Sequence, residues 1–322
     1  MNLTKKAIIT GVTGQDGRIL GKILLREGYQ VLGTTRKLES SKVEPLLESG
    51  IQIIETDYST QHLEKILSHF QPDEAYHLAG QTFVGRSWLV PEETLSSCGL
   101  IAARFLELLC RDMPPARFFN ASSSEIYFPK TGQLAETDPK EPTNPYGCAK
   151  LLSHQLVNAY RNNFGLFAVN GILFNHESSL RQNQFFSKKL VSGVVDIVEG
   201  KTDQIKLGSL DITRDWGDSE EYMEAVFRIV QHDTPEDFNI CSGVGVSVGE
   251  IVDAVFNAVS LSSQKHVVLN TNLVRAKENR FVVGDPGKIN RILGWRAQSD
   301  IFTVVKKMLN DEFNRRGLNE SV

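Results

Sequence analysis

Two rhythms of apolar and polar positions alternate along the first half of the chain. Short apolar runs at Ala7–Thr10, Tyr29–Thr35, Ile51–Ile54, Glu74–His77, Arg117–Asn120 and Phe167–Ile172 read as strands. Between most of them the period lengthens to that of a helix. Arg18–Glu27 carries Ile19, Leu20, Ile23, Leu24 and Leu25 on one face, and Gln61–His69, Glu92–Cys110 and Tyr146–Asn163 follow the same pattern. Strand, helix, strand repeated in this way requires right-handed crossovers and a parallel sheet covered on both faces, the doubly wound α/β class. Beyond residue 173 the rhythm breaks. Helices at Phe186–Val198, Ser219–Gln231, Val248–Val259 and Ile301–Phe313 interleave with Pro, Gly and short strand-like pieces. The pattern predicts a first domain over residues 1–172 with a return near 211–242, and a smaller C-terminal α/β lobe from 173–210 and 243–322.

Composition narrows the function more than the fold. The 322 residues are 41% hydrophobic and 23% charged, enough for one large domain or two lobes sharing a cleft. The 35 basic and 39 acidic residues are mixed along the chain and leave a net charge of −4. That balance gives no field to hold a nucleic acid or an anionic membrane, although an anionic small ligand needs only a local cluster of donors. Cys98, Cys110, Cys148 and Cys241 are scattered without CxxC or metal-like spacing, so neither a metal site nor a structural disulfide is expected. The N-terminus runs straight into a strand, and no apolar run reaches about 18 residues, so a cytoplasmic address is expected.

The chemistry begins at Gly11-Val12-Thr13-Gly14-Gln15-Asp16-Gly17, which follows the first strand and opens the first helix. Glycines there let the chain turn tightly and let backbone amides approach a pyrophosphate over the positive end of a helix dipole. An ordinary strand-to-helix turn is the alternative, but the position at the start of an alternating chain favours a dinucleotide. The second strand ends in Thr34-Thr35-Arg36-Lys37, where an NAD-binding chain usually places an acidic residue; two cations suit the 2′-phosphate of NADP, with solvated surface charges as the alternative. Asp57, after the third strand, is placed either to bond an adenine amine or to cap a turn.

Tyr146-Gly147-Cys148-Ala149-Lys150 starts a helix, and a Tyr and a Lys four apart share one helical face. An ammonium beside a phenol favours the phenolate and makes a base for an alcohol proton. Upstream, the fifth strand ends in Asn120-Ala121-Ser122-Ser123-Ser124-Glu125-Ile126-Tyr127, at the edge that faces the ligand crevice of an open parallel sheet. A hydroxyl there can orient a substrate hydroxyl, and a carboxylate can move a proton; turn chemistry and a surface ion pair are the structural alternatives.

The glycine loop, the serine ahead of a TyrxxxLys pair and the chain length resemble the extended short-chain dehydrogenase/reductase superfamily, in its nucleotide-sugar branch with a Rossmann-type sheet. Within that branch the chain resembles the GDP-mannose 4,6-dehydratase family along almost its whole length. The matching strings are GVTGQDG, HLAGQTFVGRSW, NASSSEIY, NPYGCAK, GILFNHESS, LGSLDITRDWG and GDPGKINRILGW. The resemblance implies a cofactor pyrophosphate on Gly11, Val12, Thr13, Gly14, Gln15, Asp16 and Gly17. It implies a 2′-phosphate on Arg36, an adenine near Asp57 and Tyr58, and further contacts from Leu78, Ala79, Gly80, Gln81, Thr82, Lys150, His176 and Arg181. Ser123, Glu125, Tyr146 and Lys150 fall on the catalytic set. Asn175, Lys189, Arg214, Arg275 and Glu278 fall at candidate positions for the nucleotide sugar.

The activity implied is an NADP-dependent hydro-lyase converting GDP-mannose to GDP-4-keto-6-deoxymannose, as a homodimer or homotetramer. Glu125 separates the reaction types, because a reductase or simple epimerase of the same branch needs Tyr and Lys but no carboxylate placed for elimination. A GDP-4-keto-6-deoxyhexose reductase or epimerase, and a non-enzymatic nucleotide-binding protein on the same fold, are the alternatives. The chain departs from the family at four places. Ser123 stands where Thr is frequent, Phe128 where Gly is usual, and Ser179-Leu180 where Pro-Arg is usual. The segment after Arg36 lacks the arginine-rich arm of many members.

Overall fold

The computed structural model describes residues 4–112, 116–128, 130–270 and 279–318. The elements run β1 Lys6–Thr10, α1 Gln15–Arg26, β2 Gln30–Thr35, α2 Ser40–Glu48, β3 Gln52–Glu55, α3 Thr60–Phe70, β4 Glu74–His77, α4 Val84–Ser87 and α5 Pro91–Leu95. A π turn at Ser96–Leu100 leads into α6 Ile101–Asp112, β5 Arg117–Ser123, a 3₁₀ turn at Ser124–Ile126, α7 Pro145–Phe164, β6 Ala168–Leu173, β7 Asn175–Glu177 and α8 Phe186–Val198. The chain continues through β8 Ile205–Leu207, β9 Thr213–Asp218, α9 Ser219–Gln231, β10 Phe238–Ile240, β11 Gly245–Ser247, α10 Val248–Ala258 and α11 Ser263–His266. It ends with β12 Val267–Leu269, β13 Phe281–Val282, α12 Gly287–Leu293 and α13 Ile301–Arg315.

Seven strands form one parallel sheet in the order β10-β6-β5-β4-β1-β2-β3. Its strands are apolar on both faces because helices cover both. Ala7 and Ile9 of β1 pack with α1 and α9 on one side, while Ile8 packs with α3, α6 and α7 on the other. The same alternation puts Phe119 and Ala121 of β5 on the α1 side and Phe118 opposite. The doubly wound expectation is met. A second sheet of β11, β9 and β13, with β7 also paired to β9, lies beside a third core built by α8, α10 and α13. Among the described residues no helix is long and apolar enough to cross a membrane.

Three local differences from the sequence expectation have physical causes. Helix α1 starts at Gln15 rather than Arg18, so Asp16 and Gly17 belong to its first turn. Gly17 is there for contact: a Cβ would stand 2.5 Å from the Gly11 carbonyl oxygen and 2.6 Å from the Val12 Cα. The expected helix Glu92–Cys110 is interrupted by the π turn, which buries Ser97, Cys98 and Gly99 together. Gly99 then meets α7, where a Cβ would lie 2.9 Å from Leu152, and the Cys98 sulfur lies under Gly80. Helix α2 went unpredicted because Pro45 in its middle breaks the helical pattern.

Candidate active site

The sheet reverses its strand order between β1 and β4: the chain winds outward to β2 and β3 on one side and to β5 and β6 on the other. Such a switch point leaves a crevice at the carboxyl ends of the two strands. The loop from β1 crosses close to β4, since a Cβ on Gly11 would lie 2.9 Å from the Ala79 Cα, and Gly11 itself has φ of +71°. Only glycine suits both demands. The Gly11 N–H donates to Thr34 O at 3.0 Å and the Gly14 N–H to Gly11 O at 3.0 Å, which fixes the loop against β2.

A cavity of about 360 Å³ occupies the crevice. Gly11, Thr13, Gly14, Gln15, Asp16 and Gly17 form one wall, Leu78, Ala79, Gly80, Thr82 and Arg181 another, and Tyr58, Arg36 and Lys37 an end. Lys42 of the unpredicted α2 joins that end. The Arg36 guanidinium pairs with Glu93 at 3.3 Å and is half exposed. Val12, Asp57, Gln81, His176 and Lys150 do not line the cavity. Val12 is buried beneath it, Asp57 is exposed beside His62, and the Gln81 amide turns to the Phe83 carbonyl at 3.0 Å.

Next to the crevice, β5 and α7 bring the candidate catalytic groups together. Ser123 ends β5, and its hydroxyl oxygen accepts from the Glu125 N–H at 3.2 Å. Asn144 is the N-cap of α7, with Pro145 at the first helical position. The Asn144 carbonyl oxygen accepts from the Gly147 N–H at 2.9 Å, while its amide donates to Glu125 Oε2 at 2.7 Å. Asn144 therefore caps the helix and aims the carboxylate at once. Asn144 is not among the residues expected at the site, although an Asn before a Pro at a helix start is a recognisable capping signal. Gly147 is required between Tyr146 and Cys148, because a Cβ there would run into the Glu125 carbonyl. Tyr146 is almost fully buried, and Ser123 lies near enough to lower its phenol's pKa.

The electrostatics differ from the expectation of a lowered phenol. Burial pushes the Tyr146 phenol up, reinforced by Cys98 and Glu125, while Ser123 and Arg181 pull it back. The Lys150 ammonium sits 5.8 Å from the Tyr146 ring centroid and donates to the Ala121 carbonyl at 2.7 Å, and burial lowers its own basicity. The pair thus lies in a buried pocket in which desolvation is the largest influence on the phenol.

His176 joins the glycine loop from the other side. Its Nδ1 meets the Phe174 carbonyl at 2.7 Å and its Nε2 meets Asp16 Oδ1 at 3.1 Å. Both partners are acceptors, so both ring nitrogens carry hydrogen and the imidazole is cationic. Burial lowers the His176 pKa, but Asp16 outweighs it and the net shift is upward; burial likewise raises Asp16, and His176 carries it well below the carboxylate range. Gln15 fastens the same corner, accepting from the Ser178 hydroxyl at 2.8 Å and donating to His176 O at 3.3 Å. Arg181 stacks on Phe185 at 3.8 Å from the ring centroid.

The expected sugar-nucleotide positions are less gathered. Asn175 begins β7, Lys189 donates to Lys206 O, and Arg214 is buried on β9. Arg275 and Glu278 lie outside the described residues.

Comparison with known proteins places this geometry. The GDP-mannose 4,6 dehydratase family model matches residues 8–308. The chain is 34% identical over 337 residues to GDP-mannose 4,6 dehydratase 2 of Caenorhabditis elegans, covering 95% of this chain and 88% of the relative. Among solved structures, MoeE5 in complex with UDP-glucuronic acid and NAD superposes with a TM-score of 0.83 at 21% identity, covering 97% of this chain and 100% of that one. RMD from Pseudomonas aeruginosa complexed with NADPH gives 0.79 at 20% identity, with the same coverages of 97% and 100%. At those identities the structural likeness is one of fold.

Proposed function

The chain belongs to the GDP-mannose 4,6-dehydratase family, and from that premise we propose that it removes water from GDP-mannose, with NADP as cofactor, to give GDP-4-keto-6-deoxymannose. The crevice suits a dinucleotide in shape and charge. Gly11 and Gly17 let the loop pack tightly on Ala79 and on its own backbone, the α1 N-terminus faces the crevice, and Arg36, Lys37 and Lys42, the last paired with Glu39, gather at the end where a 2′-phosphate would sit. Relatives on this fold are described with NAD and with NADPH; the cations after β2 favour NADP here.

A bound nicotinamide supplies the two-electron oxidation at sugar C4 and its reversal at C6. The protein supplies the proton transfers. Tyr146 acts as the phenolate, stabilised by the Lys150 ammonium, and becomes the phenol as it takes the proton of the 4-hydroxyl, which Ser123 orients. With C4 a ketone, the C5–H is acidic. The Glu125 carboxylate removes that proton, and the C6–O bond breaks with a proton returned to the departing hydroxyl, so that one water leaves. As C6 is reduced, C5 takes back a proton from Glu125 or solvent, balanced by the proton that Tyr146 releases, so that C4 is left as the ketone; the burial of the pocket keeps bulk solvent from the intermediate.

One observation carries the dehydratase over a reductase or epimerase: a carboxylate, Glu125, is held by Asn144 beside Tyr146 and Ser123. Incubation with GDP-mannose and NADP should yield a product lighter by one water without net consumption of cofactor. Glu125→Gln should keep binding but lose C5 hydrogen exchange with heavy water by about 10²–10⁴-fold. Net NADPH oxidation by a 4-keto sugar, with no dehydration, would instead mark a reductase. We also propose a homodimer in which residues 92–110 and α7 pair with their copies, with Leu95 of α5, Leu100 of the π turn and Leu152 of α7 exposed; a monomer by light scattering at micromolar concentration counts against it.

A further inference from the structure

A row of polar side chains crosses the large sheet at a single register level. Thr34 pairs with Thr10, Thr10 with His77, His77 with Asn120, and Asn120 with Asn170. Each lies two residues after a strand residue (Leu32, Ile8, Ala75, Phe118, Ala168) that packs with α3, α6 and α7, so all five face that side. All are at most 1% exposed. Polar groups so deeply buried need partners, and nearly every one here has them. Thr34 meets the Tyr58 hydroxyl at 2.9 Å, Thr10 meets His77 Nδ1 at 3.0 Å, and the Asn120 amide donates to Asn170 at 2.8 Å and to Ser153 at 3.3 Å. The row breaks at one step. His77 Nε2 and Asn120 Oδ1, on neighbouring strands, are both buried without a hydrogen-bond partner.

Donor and acceptor roles at the break follow by elimination. The Thr10 hydroxyl oxygen already accepts from the Leu78 N–H at 3.1 Å and the Ala79 N–H at 3.0 Å, so its single proton points to His77 Nδ1. Nδ1 is then an acceptor and the ring hydrogen is on Nε2. Burial, aided by the Lys150 charge, pushes the His77 pKa down to about 3, so the ring is neutral. A donor on His77 and an acceptor on Asn120, register partners on neighbouring strands, thus each lie buried without a protein partner. A metal cation cannot accept from Nε2–H, and a halide cannot donate to Oδ1. Water does both.

We propose that one buried water bridges His77 Nε2 and Asn120 Oδ1, and that it joins the floor of the cofactor crevice to the helical turn carrying Lys150. On the crevice side the chain of bonds runs from the Leu78 and Ala79 N–H groups through Thr10 to His77. On the other it runs from Asn120 through Ser153 to the Lys150 carbonyl at 3.0 Å, and Ala121, next to Asn120, holds the Lys150 ammonium. The water closes this chain, and His77 and Asn120 are positioning residues for α7 against the crevice.

Electron density of the wild-type protein tests the water itself: a peak within about 3.2 Å of both atoms is expected. No peak, or the two side chains in direct contact, overturns the proposal. The positioning role rests on the dehydratase reading and is tested by kinetics with GDP-mannose and NADP. His77→Phe keeps a ring to stack on Phe105 but loses the donor. It should lose the density peak and lower kcat on the order of ten- to a hundredfold, with KM for the sugar nucleotide little changed. His77→Gln restores an N–H donor and should recover both. Native kcat in His77→Phe, or no recovery in His77→Gln, overturns the positioning role. A wild-type protein inactive on GDP-mannose would refute the dehydratase reading while the density still decided the water.

Discussion

Asn144 offers a way to separate helix capping from catalysis. Its carbonyl oxygen caps α7 through the Gly147 N–H, and its amide donates to Glu125 Oε2 at 2.7 Å. Aspartate caps a helix about as well as asparagine, so Asn144→Asp should leave α7 intact. The same change removes the donor from Glu125 and sets a like charge against it. A hydrogen bond to a charged group contributes about 1.5–3 kcal/mol. Glu125 is only half buried, so solvent screening favours the lower figure, and the added repulsion moves the total back up. With about 1.4 kcal/mol per factor of ten, C5 hydrogen exchange should fall on the order of ten- to a hundredfold. Asn144→Ala should lose as much exchange and also the cap, about 1 kcal/mol, which for a chain of this size lowers the thermal midpoint by roughly 2 °C. The assay pairs C5 exchange of GDP-mannose in heavy water, with NADP present, and thermal melts of both variants. Native exchange in Asn144→Asp, or an equal loss of thermal midpoint in both variants, would refute the division of roles.

Three further outcomes follow from the same geometry. Arg36→Glu should weaken NADP far more than NAD, since a 2′-phosphate loses a cation and meets an anion; dissociation constants of both cofactors check it, and an unchanged ratio sinks the assignment. Gly17→Ala should destabilise the fold by about 1–3 kcal/mol, because the new methyl meets backbone on Gly11 and Val12; a denaturant midpoint equal to wild type contradicts that packing. The His176–Asp16 pair sets a pH window. The raised His176 pKa contributes stability that is fully present below the unfolded value of about 6.5 and lost as pH rises through the native one, and the lowered Asp16 pKa contributes stability present above about 3.9 and lost as pH falls. The thermal advantage of wild type over His176→Asn should therefore shrink as pH rises above neutrality, and an advantage that grew with pH would reverse the assignment.

Local periodicity carried most of the element map. Glu74–His77, Phe186–Val198 and Ser219–Gln231 lie where the sequence pattern puts them, because whether a face repeats every two or every 3.6 residues is a property of the backbone alone. The glycine loop was legible for a related reason, since a strand, a tight turn and a helix start are consecutive in the chain. Tyr146 and Lys150 share a face by helical spacing and needed no tertiary information. The groups that control them were another matter. Asn144 meets Glu125 across 19 residues, His176 meets Asp16 across 160, and His77 faces Asn120 only because β4 pairs with β5 in that register. The π turn behind Cys98 and the buried setting that raises the Tyr146 phenol depend on how α7 settles on the sheet. The sequence determined which side chains could do chemistry and on which elements they sit. The tertiary structure decided their protonation and their partners, since desolvation and strand register are set by segments far apart in the chain.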